Sequence, residues 1–152
     1  MDDILLKNGI VIDGTGSPER IADVAIRNGR IAAVEADYVG SAERVIDVHG
    51  RIVAPGFIDI HTHSDFTLPL NPKAECKIRQ GVTTEVVGNC GFSVAPALPD
   101  KVEMLRDYLS GSAPWLPFEE TDFTRYMDAW PAISVNTVMQ VGHNTLRIMA
   151  MG

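Results

Sequence analysis

Two histidines that stand close together in the chain have the residue type and spacing of a metal site. His61 and His63 end an apolar segment that begins at Phe57. Side chains of a strand alternate between its two faces, so both imidazoles are predicted on one face, about 6.6 Å apart along the strand. Two imidazoles at that spacing can bind one ion at Zn–N distances of about 2.0–2.1 Å. The pair therefore indicates metal chemistry.

Two carboxylates share the face of these histidines. Asp59 and Asp65 have the same parity, whereas Ile58, Ile60 and Thr62 point the other way, as in a strand covered by helices. A polar face at the end of an apolar strand is costly unless its groups have partners, and a metal with carboxylates around its ligands supplies them. We interpret both aspartates as candidate partners of the ligands. The alternative is that the histidines are merely solvated at a strand end.

A cysteine follows the next apolar segment. Cys90 lies just past the predicted strand 82–88, between Gly88 and Gly91, which let the backbone approach closely. A thiolate there could bind a metal or act as a nucleophile. A free cysteine that only packs in the interior is the alternative, and the residues alone leave it open. Cys76 falls inside a predicted helix beside apolar residues, and we interpret it as a packing residue.

Three further side chains have weaker claims. His143 falls at the end of the third predicted strand and is interpreted as a candidate neighbour of the metal ligands. Arg147 could bind a substrate carboxylate with two hydrogen bonds, but a salt bridge on a helix surface is the simpler interpretation. His49 is expected to be exposed and inert.

Two kinds of segment must position these side chains, and the sequence changes character at Pro55-Gly56. Before this point short β-prone runs alternate with turn residues, and Asn8-Gly9 and Asn28-Gly29 are predicted as hairpin turns. After it, apolar strands alternate with helical stretches, which predicts βαβ units, a parallel sheet and an α/β protein. We therefore predict two domains, residues 1–55 and 56–152.

The predicted elements follow from this pattern. In the first domain the strands are 4–7, 10–13, 22–27, 30–35, 44–47 and 51–54. In the second the strands are 57–61, 82–88 and 133–142, and the helices are 72–80, 101–109 and 123–130. Asn71 and Asp100 are the predicted N-caps of the first two helices, and Gly81 is predicted to end the first.

Length and composition limit the classes of protein. The 152 residues include 45% hydrophobic and 22% charged residues, typical of a soluble globular protein. Thirteen basic and 20 acidic residues give a net charge of −7, which argues against nucleic acid and anionic membranes as partners. No apolar run approaches the roughly 20 residues of a membrane-spanning helix. Two cysteines cannot form a disulfide framework, and Asp2-Asp3 does not suit a secretory signal, so a cytoplasmic location is expected.

Three motifs together resemble a known family. The run Pro-Gly-Phe-Ile-Asp-x-His-x-His at 55–63 resembles the opening of the amidohydrolase superfamily of metal-dependent hydrolases. The run Gly-Asn-Cys-Gly-Phe-Ser-x-Ala-Pro at 88–96 resembles the N-acyl-D-amino-acid deacylase (D-aminoacylase) family within it. Residues 141–147, Val-Gly-His-Asn-Thr-Leu-Arg, are similar to the stretch after that family's third barrel strand. The resemblance extends over the whole chain.

The resemblance implies a fold and a ligand set. It implies the start of a (β/α)8 (TIM) barrel in 56–152, preceded by half of a composite β-sandwich in 1–55. His61, His63 and Cys90 would bind one or two zinc ions. The remaining histidine ligands and a catalytic aspartate would lie beyond Gly152. A complete barrel takes about 250 residues, so the chain is expected to be an amino-terminal fragment holding the first three βα units.

The function implied is hydrolysis of the amide bond of small N-acyl-D-amino acids by a metal-activated water. One alternative is another amidohydrolase of the hydantoinase or dihydroorotase type, against which the segment around Cys90 speaks. The other is a catalytically inactive truncated scaffold. We expect the 152-residue chain alone to be inactive, and to self-associate or need the remainder of the protein because its third strand leaves an open apolar edge.

Overall fold

The computed structural model describes all residues, Met1–Gly152, in two compact units, Met1–Pro55 and Gly56–Gly152. The first unit is a five-stranded sheet with strands β1 (Asp2–Val11), β2 (Arg20–Arg27), β3 (Arg30–Glu35), β4 (Ala42–Asp47) and β5 (Ile52–Val53). The path runs β3-β2-β1-β4, and β5 also pairs with β1. The first three strands are antiparallel, whereas β4 and β5 run parallel to β1.

The two predicted Asn-Gly turns have different outcomes. Asn28 and Gly29 have positive φ angles of 52° and 69° and join β2 to β3, which confirms that hairpin. Asn8-Gly9 is not a turn, and the two runs it was expected to separate form one strand, β1. Asn8 also has a positive φ, of 63°, and the register with β2 shifts between Leu6 and Gly9. The dipeptide therefore forms a β-bulge, in which Asn8 has the positive φ that was expected in a turn.

The second unit is the predicted α/β segment. Its elements are β6 (Phe57–Asp59), a 3₁₀ turn (Ser64–Phe66), α1 (Glu75–Ile78), β7 (Val82–Val87), α2 (Val102–Leu109), α3 (Phe123–Asp128), β8 (Asn136–Met139) and α4 (His143–Met151). The three strands form a parallel sheet, as predicted, and their order is β6-β7-β8. Consecutive strands are therefore neighbours, and their carboxyl ends meet at one edge.

All three strands of this sheet are shorter than predicted. Strand β6 ends at Asp59, so His61 lies beyond it. The opposite face of this segment was expected to be covered by helices, but Ile58 and Ile60 are 63% and 73% exposed. That expectation is wrong for this chain, because no helix covers these two side chains, although Lys77 of α1 contacts Asp59 and Glu85 of the same sheet.

The helix limits also differ. Helix α1 starts after Ala74, which has a left-handed φ of 46°, so the predicted N-cap Asn71 is wrong. The cause lies just before the helix, where the carbonyl of Pro72 accepts a hydrogen bond from Ser134 N and holds this stretch as a loop. The predicted N-cap Asp100 of α2 is also wrong. The residue before this helix is Lys101, whose side chain makes no capping hydrogen bond.

Helix α4 is not among the ranges predicted above, although Arg147 was expected on a helix surface. It begins at His143, directly after Gly142, whose N–H donates to Ser93 Oγ at 3.0 Å. Thr145 and Met149, one turn apart, are buried. Met149 joins the main core of the unit, which also contains Phe66, Leu105, Leu109 and Phe118. No helix in the structure is both long enough and apolar enough to span a bilayer.

Candidate metal centre

Three donor side chains meet at the carboxyl edge of the parallel sheet. The ligand atoms of His61, His63 and Cys90 all lie within 4.8 Å of one another. His61 Nε2 is 3.1 Å from Cys90 Sγ, and the two imidazole centroids are 5.9 Å apart. The convergence predicted from the sequence is therefore present, although the two histidines lie past the end of β6.

Hydrogen bonds to backbone carbonyls bring the segment with His61 and His63 close to the loop with Cys90. Thr62 N donates to Val86 O at 3.3 Å, which continues the pairing between the first segment and β7 past the end of β6. The Asn89 side-chain amide donates to Val86 O at 2.8 Å and to Thr62 O at 3.2 Å. Asn89, the residue before Cys90, thus ties the cysteine loop to the residue between the two histidines.

Glycine is required where this loop leaves β7. A Cβ on Gly88 would lie 2.1 Å from the carbonyl oxygen of Gln140, and its φ is +80°. Cys90 itself has a positive φ of 56°, which is uncommon for a residue with a side chain. Strained backbone of this kind is characteristic of functional sites, where surrounding contacts maintain it.

The donor set fits a borderline-soft divalent metal. Two imidazoles and a thiolate are ligands that zinc prefers, and a zinc site with three protein ligands leaves a position for water or substrate. His63 Nδ1 is buried and has no hydrogen-bond partner, so this nitrogen is available to bind a metal ion. The His63 ring stacks on Phe66, with centroids 5.8 Å apart, and this contact fixes its orientation.

The two predicted carboxylates lie near the ligands but outside the donor cluster. Asp59 accepts a hydrogen bond from His61 N at 3.2 Å and one from Lys77 Nζ at 2.6 Å. The Lys77 contact, aided by that backbone N–H, holds the pKa of Asp59 below its usual value. Asp65 is 2% exposed, and burial raises its pKa to about 7. Neither aspartate hydrogen-bonds an imidazole, and their proposed role around a metal stays a prediction.

Other predicted residues have different positions. His143 is exposed at the first turn of α4 and its imidazole makes no hydrogen bond, so its role near the ligands is also still a prediction. Cys76 is exposed, and its interpretation as a packing residue is wrong, because α1 is a short surface helix. Arg147 is exposed and forms no salt bridge, contrary to expectation. His49 is exposed, as predicted.

Sequence reasoning missed a charged pair beside the ligand segment. Glu85 is fully buried in β7, and Lys77 of α1 places its Nζ 3.5 Å from Glu85 Oε2. Burial favours a lower pKa for Lys77, but the hydrogen bond to Asp59 and the charge of Glu85 raise the pKa above its usual value. Glu85 was the signal, as the one charged residue of β7, since a buried carboxylate requires a partner.

An aromatic cavity adjoins the cluster. Its volume is about 290 Å³, and it is lined by His63, Phe66, Thr67, Phe92, Ser112 and Trp115. Trp115 is held in place by its indole N–H, which donates to the carbonyl of Phe66 at 3.0 Å. His63 belongs both to this wall and to the donor cluster. No charged side chain lines the cavity, so it suits an apolar group held next to the metal ligands.

An α/β protein with two histidines and a cysteine at the edge of a parallel sheet matches a known family. A sequence model described as "Amidohydrolase family" matches residues 44–152. The chain is 44% identical to the N-acyl-D-glutamate deacylase of Alcaligenes xylosoxydans xylosoxydans and 42% identical to the D-aminoacylase of the same organism. Each alignment covers 98% of this chain and 30% or 31% of the relative. The chain therefore belongs to the amidohydrolase family.

Solved structures give the same assignment. A D-aminoacylase with a binuclear metal centre has a TM-score of 0.84 at 45% identity over 99% of this chain. The N-acyl-D-glutamate deacylase of Bordetella bronchiseptica, complexed with zinc and a phosphonate inhibitor, has a TM-score of 0.81 at 40% identity. The resemblance seen in the sequence is confirmed. The chain spans about a third of the length of these proteins, 32% and 31% respectively.

The donor cluster generates a prediction about the two cysteines. Cys90→Ser removes the thiolate, and we expect it to weaken Zn²⁺ binding at least tenfold. Substitution of residues that only hydrogen-bond to metal ligands already lowers metal affinity about 10–100-fold. Cys76→Ser is the matched control because this thiol is exposed and away from the cluster. Competition with a chromogenic chelator measures both affinities. Equal zinc affinity of the Cys90→Ser variant and the wild type would exclude the thiolate as a ligand.

Proposed function

We propose that this chain supplies the first metal-binding part of an N-acyl-D-amino-acid deacylase, which hydrolyses the amide bond between an acyl group and a D-amino acid. The observation that carries the proposal is the convergence of His61, His63 and Cys90 within 4.8 Å. The relatives also support the proposal, because an N-acyl-D-glutamate deacylase and a D-aminoacylase are 44% and 42% identical to this chain over 98% of its length. The hydantoinase type has less support, and a catalytically inactive scaffold is an outcome of the test below.

We propose zinc as the metal, with one or two ions in a full-length protein. A bound divalent metal polarises a carbonyl oxygen and lowers the pKa of a water molecule, which is the chemistry that amide hydrolysis needs. His61, His63 and Cys90 would hold it, and their donor types suit zinc. The zinc complex of the Bordetella deacylase supports this choice. Two unpaired cysteines are compatible with a reducing, cytoplasmic location, which stays a prediction.

We also propose the larger architecture implied by the resemblance. The parallel order β6-β7-β8 supports the view that Gly56–Gly152 begins a (β/α)8 barrel, and the sheet of Met1–Pro55 supports half of a composite β-sandwich. A barrel takes about 250 residues, and its catalytic groups lie at the carboxyl ends of its strands. Further ligands and the aspartate that serves as general base would then come from later strands.

The aromatic cavity is the proposed site for the acyl group of the substrate. An N-acyl amino acid has an apolar acyl group on one side of the amide and a carboxylate on the other. The cavity has no cation to pair with a carboxylate, so it would take the acyl group. His63 belongs both to the cavity wall and to the donor cluster, so the acyl group would lie next to the amide bond that is hydrolysed.

The 152-residue chain by itself is proposed to self-associate. Phe57 and Ile60 precede His61 and are 65% and 73% exposed, and Val138 on β8 is 53% exposed. Exposed apolar groups on a sheet edge are normally covered by further structure or by another molecule.

The first prediction from this function concerns activity. We expect the chain continued to the full length of its relatives to hydrolyse N-acetyl-D-amino acids, with the N-acetyl-L-amino acids as controls. Removal of metal by a chelator should abolish turnover, and added zinc should restore it, because the metal supplies the activation of water. The 152-residue chain should be inactive. Turnover by that chain, or a zinc-loaded full-length protein without turnover, would contradict the proposal.

A second prediction concerns the acyl cavity in the full-length protein. Trp115→Ala enlarges the cavity, so the ratio of kcat/KM for N-hexanoyl over N-acetyl substrates should rise at least about tenfold, the lower end of the effect of one methylene in an apolar pocket. Leu98→Ala, at an exposed apolar residue outside the cavity, is the control. A change in preference for the amino-acid side chain, with no change in acyl preference, would show that the cavity holds the other end of the substrate.

A third prediction concerns the oligomeric state. Sedimentation velocity of the 152-residue chain should show species that grow with concentration. Val138→Lys should shift them toward monomer, because a charge on a sheet edge opposes pairing. Leu70→Lys changes a similarly exposed residue outside the sheet, 57% exposed, and should have little effect. A monodisperse wild-type monomer that unfolds cooperatively would refute self-association.

A further inference from the structure

A cluster of charged and hydroxyl side chains lies beside the segment that carries the two histidines. Lys77 Nζ is 2.6 Å from Asp59 Oδ2, 3.2 Å from Thr62 Oγ1 and 3.5 Å from Glu85 Oε2. Lys77 is 22% exposed at its side chain, and Glu85 is 0% exposed. One ammonium group therefore connects three partners, and two of them, Asp59 and Thr62, lie in the segment that carries the histidines.

Each partner of Lys77 is bonded to the backbone or side chains around the histidines. Asp59 uses its other oxygen, Oδ1, to accept the hydrogen bond from His61 N at 3.2 Å. Glu85 Oε2 accepts a hydrogen bond from Ser64 Oγ. Ser64 Oγ is in turn 2.7 Å from Thr62 Oγ1. The bonded residues 59, 62 and 64 thus bracket both histidines.

The segment needs these side chains because the strand has already ended. Strand β6 stops at Asp59, so the residues that carry the imidazoles lack the regular ladder that fixes a strand. The contacts at Thr62 and the Lys77 cluster replace it. Without the ammonium, Glu85 would be a buried carboxylate with no cation, which is costly. A rearrangement of Glu85 would disturb its bond to Ser64, next to His63.

We propose that Lys77 is a positioning residue of the metal centre: through Asp59, Thr62 and Glu85 it fixes residues 61–64 so that the two imidazoles face Cys90. Lys77 is not itself a donor of the cluster, since an ammonium has no lone pair for a metal. This role concerns metal binding alone and does not depend on which amide the enzyme hydrolyses. It rests on the proposed metal site.

The test compares lysine variants of the same protein. In Lys77→Met the charge is lost and much of the side-chain volume is kept, and we expect the dissociation constant for Zn²⁺ to rise about 10–100-fold. The absorption spectrum of bound Co²⁺, which reports ligand geometry and the thiolate bond, should change as well. Lys73→Met, at an exposed lysine four residues earlier, is the matched control and should leave both readouts unchanged.

A second variant decides the question if Lys77→Met does not fold. Asp59→Asn is nearly isosteric and removes the ion pair with Lys77, so it should weaken zinc binding in the same direction. Circular dichroism of each variant establishes that the fold is retained. Folded Lys77→Met and Asp59→Asn proteins with wild-type zinc affinity and an unchanged cobalt spectrum would overturn the proposal. A wild-type protein that binds no zinc would instead contradict the metal site itself.

Discussion

The site depends on one constraint, that two strands next to each other in the chain are also parallel neighbours in the sheet. Strands β6 and β7 pair in parallel, so the segments that follow them leave the sheet at the same edge. This arrangement brings together the segments of His61 and Cys90, which are 29 residues apart and make a contact of 3.1 Å. An antiparallel pair would place the two segments at opposite ends. The histidines and the cysteine can form one site only because the crossover through α1 restores the strand direction.

The approach of the segments is completed by features outside the ladder. Gly88 permits contact with the backbone of Gln140, and the Asn89 amide bridges the two ligand loops. Lys77 and its carboxylate partners hold the histidine segment from the other side. The donor groups are thereby preorganised before a metal binds, which reduces the cost of ordering them.

The sequence predicted this arrangement where local pattern and residue type agreed. The alternation of strands and helices was sufficient for the parallel sheet, and the His-x-His motif indicated a metal site. The residues alone left the role of Cys90 open, and the family resemblance selected it as a third donor. The first unit shows the limit of local pattern, because Asn8-Gly9 has the conformation of a turn but forms a bulge in β1. Helix α1 was shortened by the bond between Ser134 N and Pro72 O, a contact 62 residues apart in the chain that local propensity does not contain. The Lys77 and Glu85 pair was missed because a glutamate in a predicted strand indicates that a partner is needed but does not identify it, and only the fold brings Lys77 to Glu85.

The central claim is that two imidazoles and one thiolate bind the same metal ion. X-ray absorption at the zinc edge of the zinc-loaded protein tests it most directly, because sulfur and nitrogen neighbours differ in distance and scattering. The account predicts one sulfur at about 2.3 Å together with nitrogen neighbours at about 2.0–2.1 Å. A zinc environment of nitrogen and oxygen with no sulfur would contradict it.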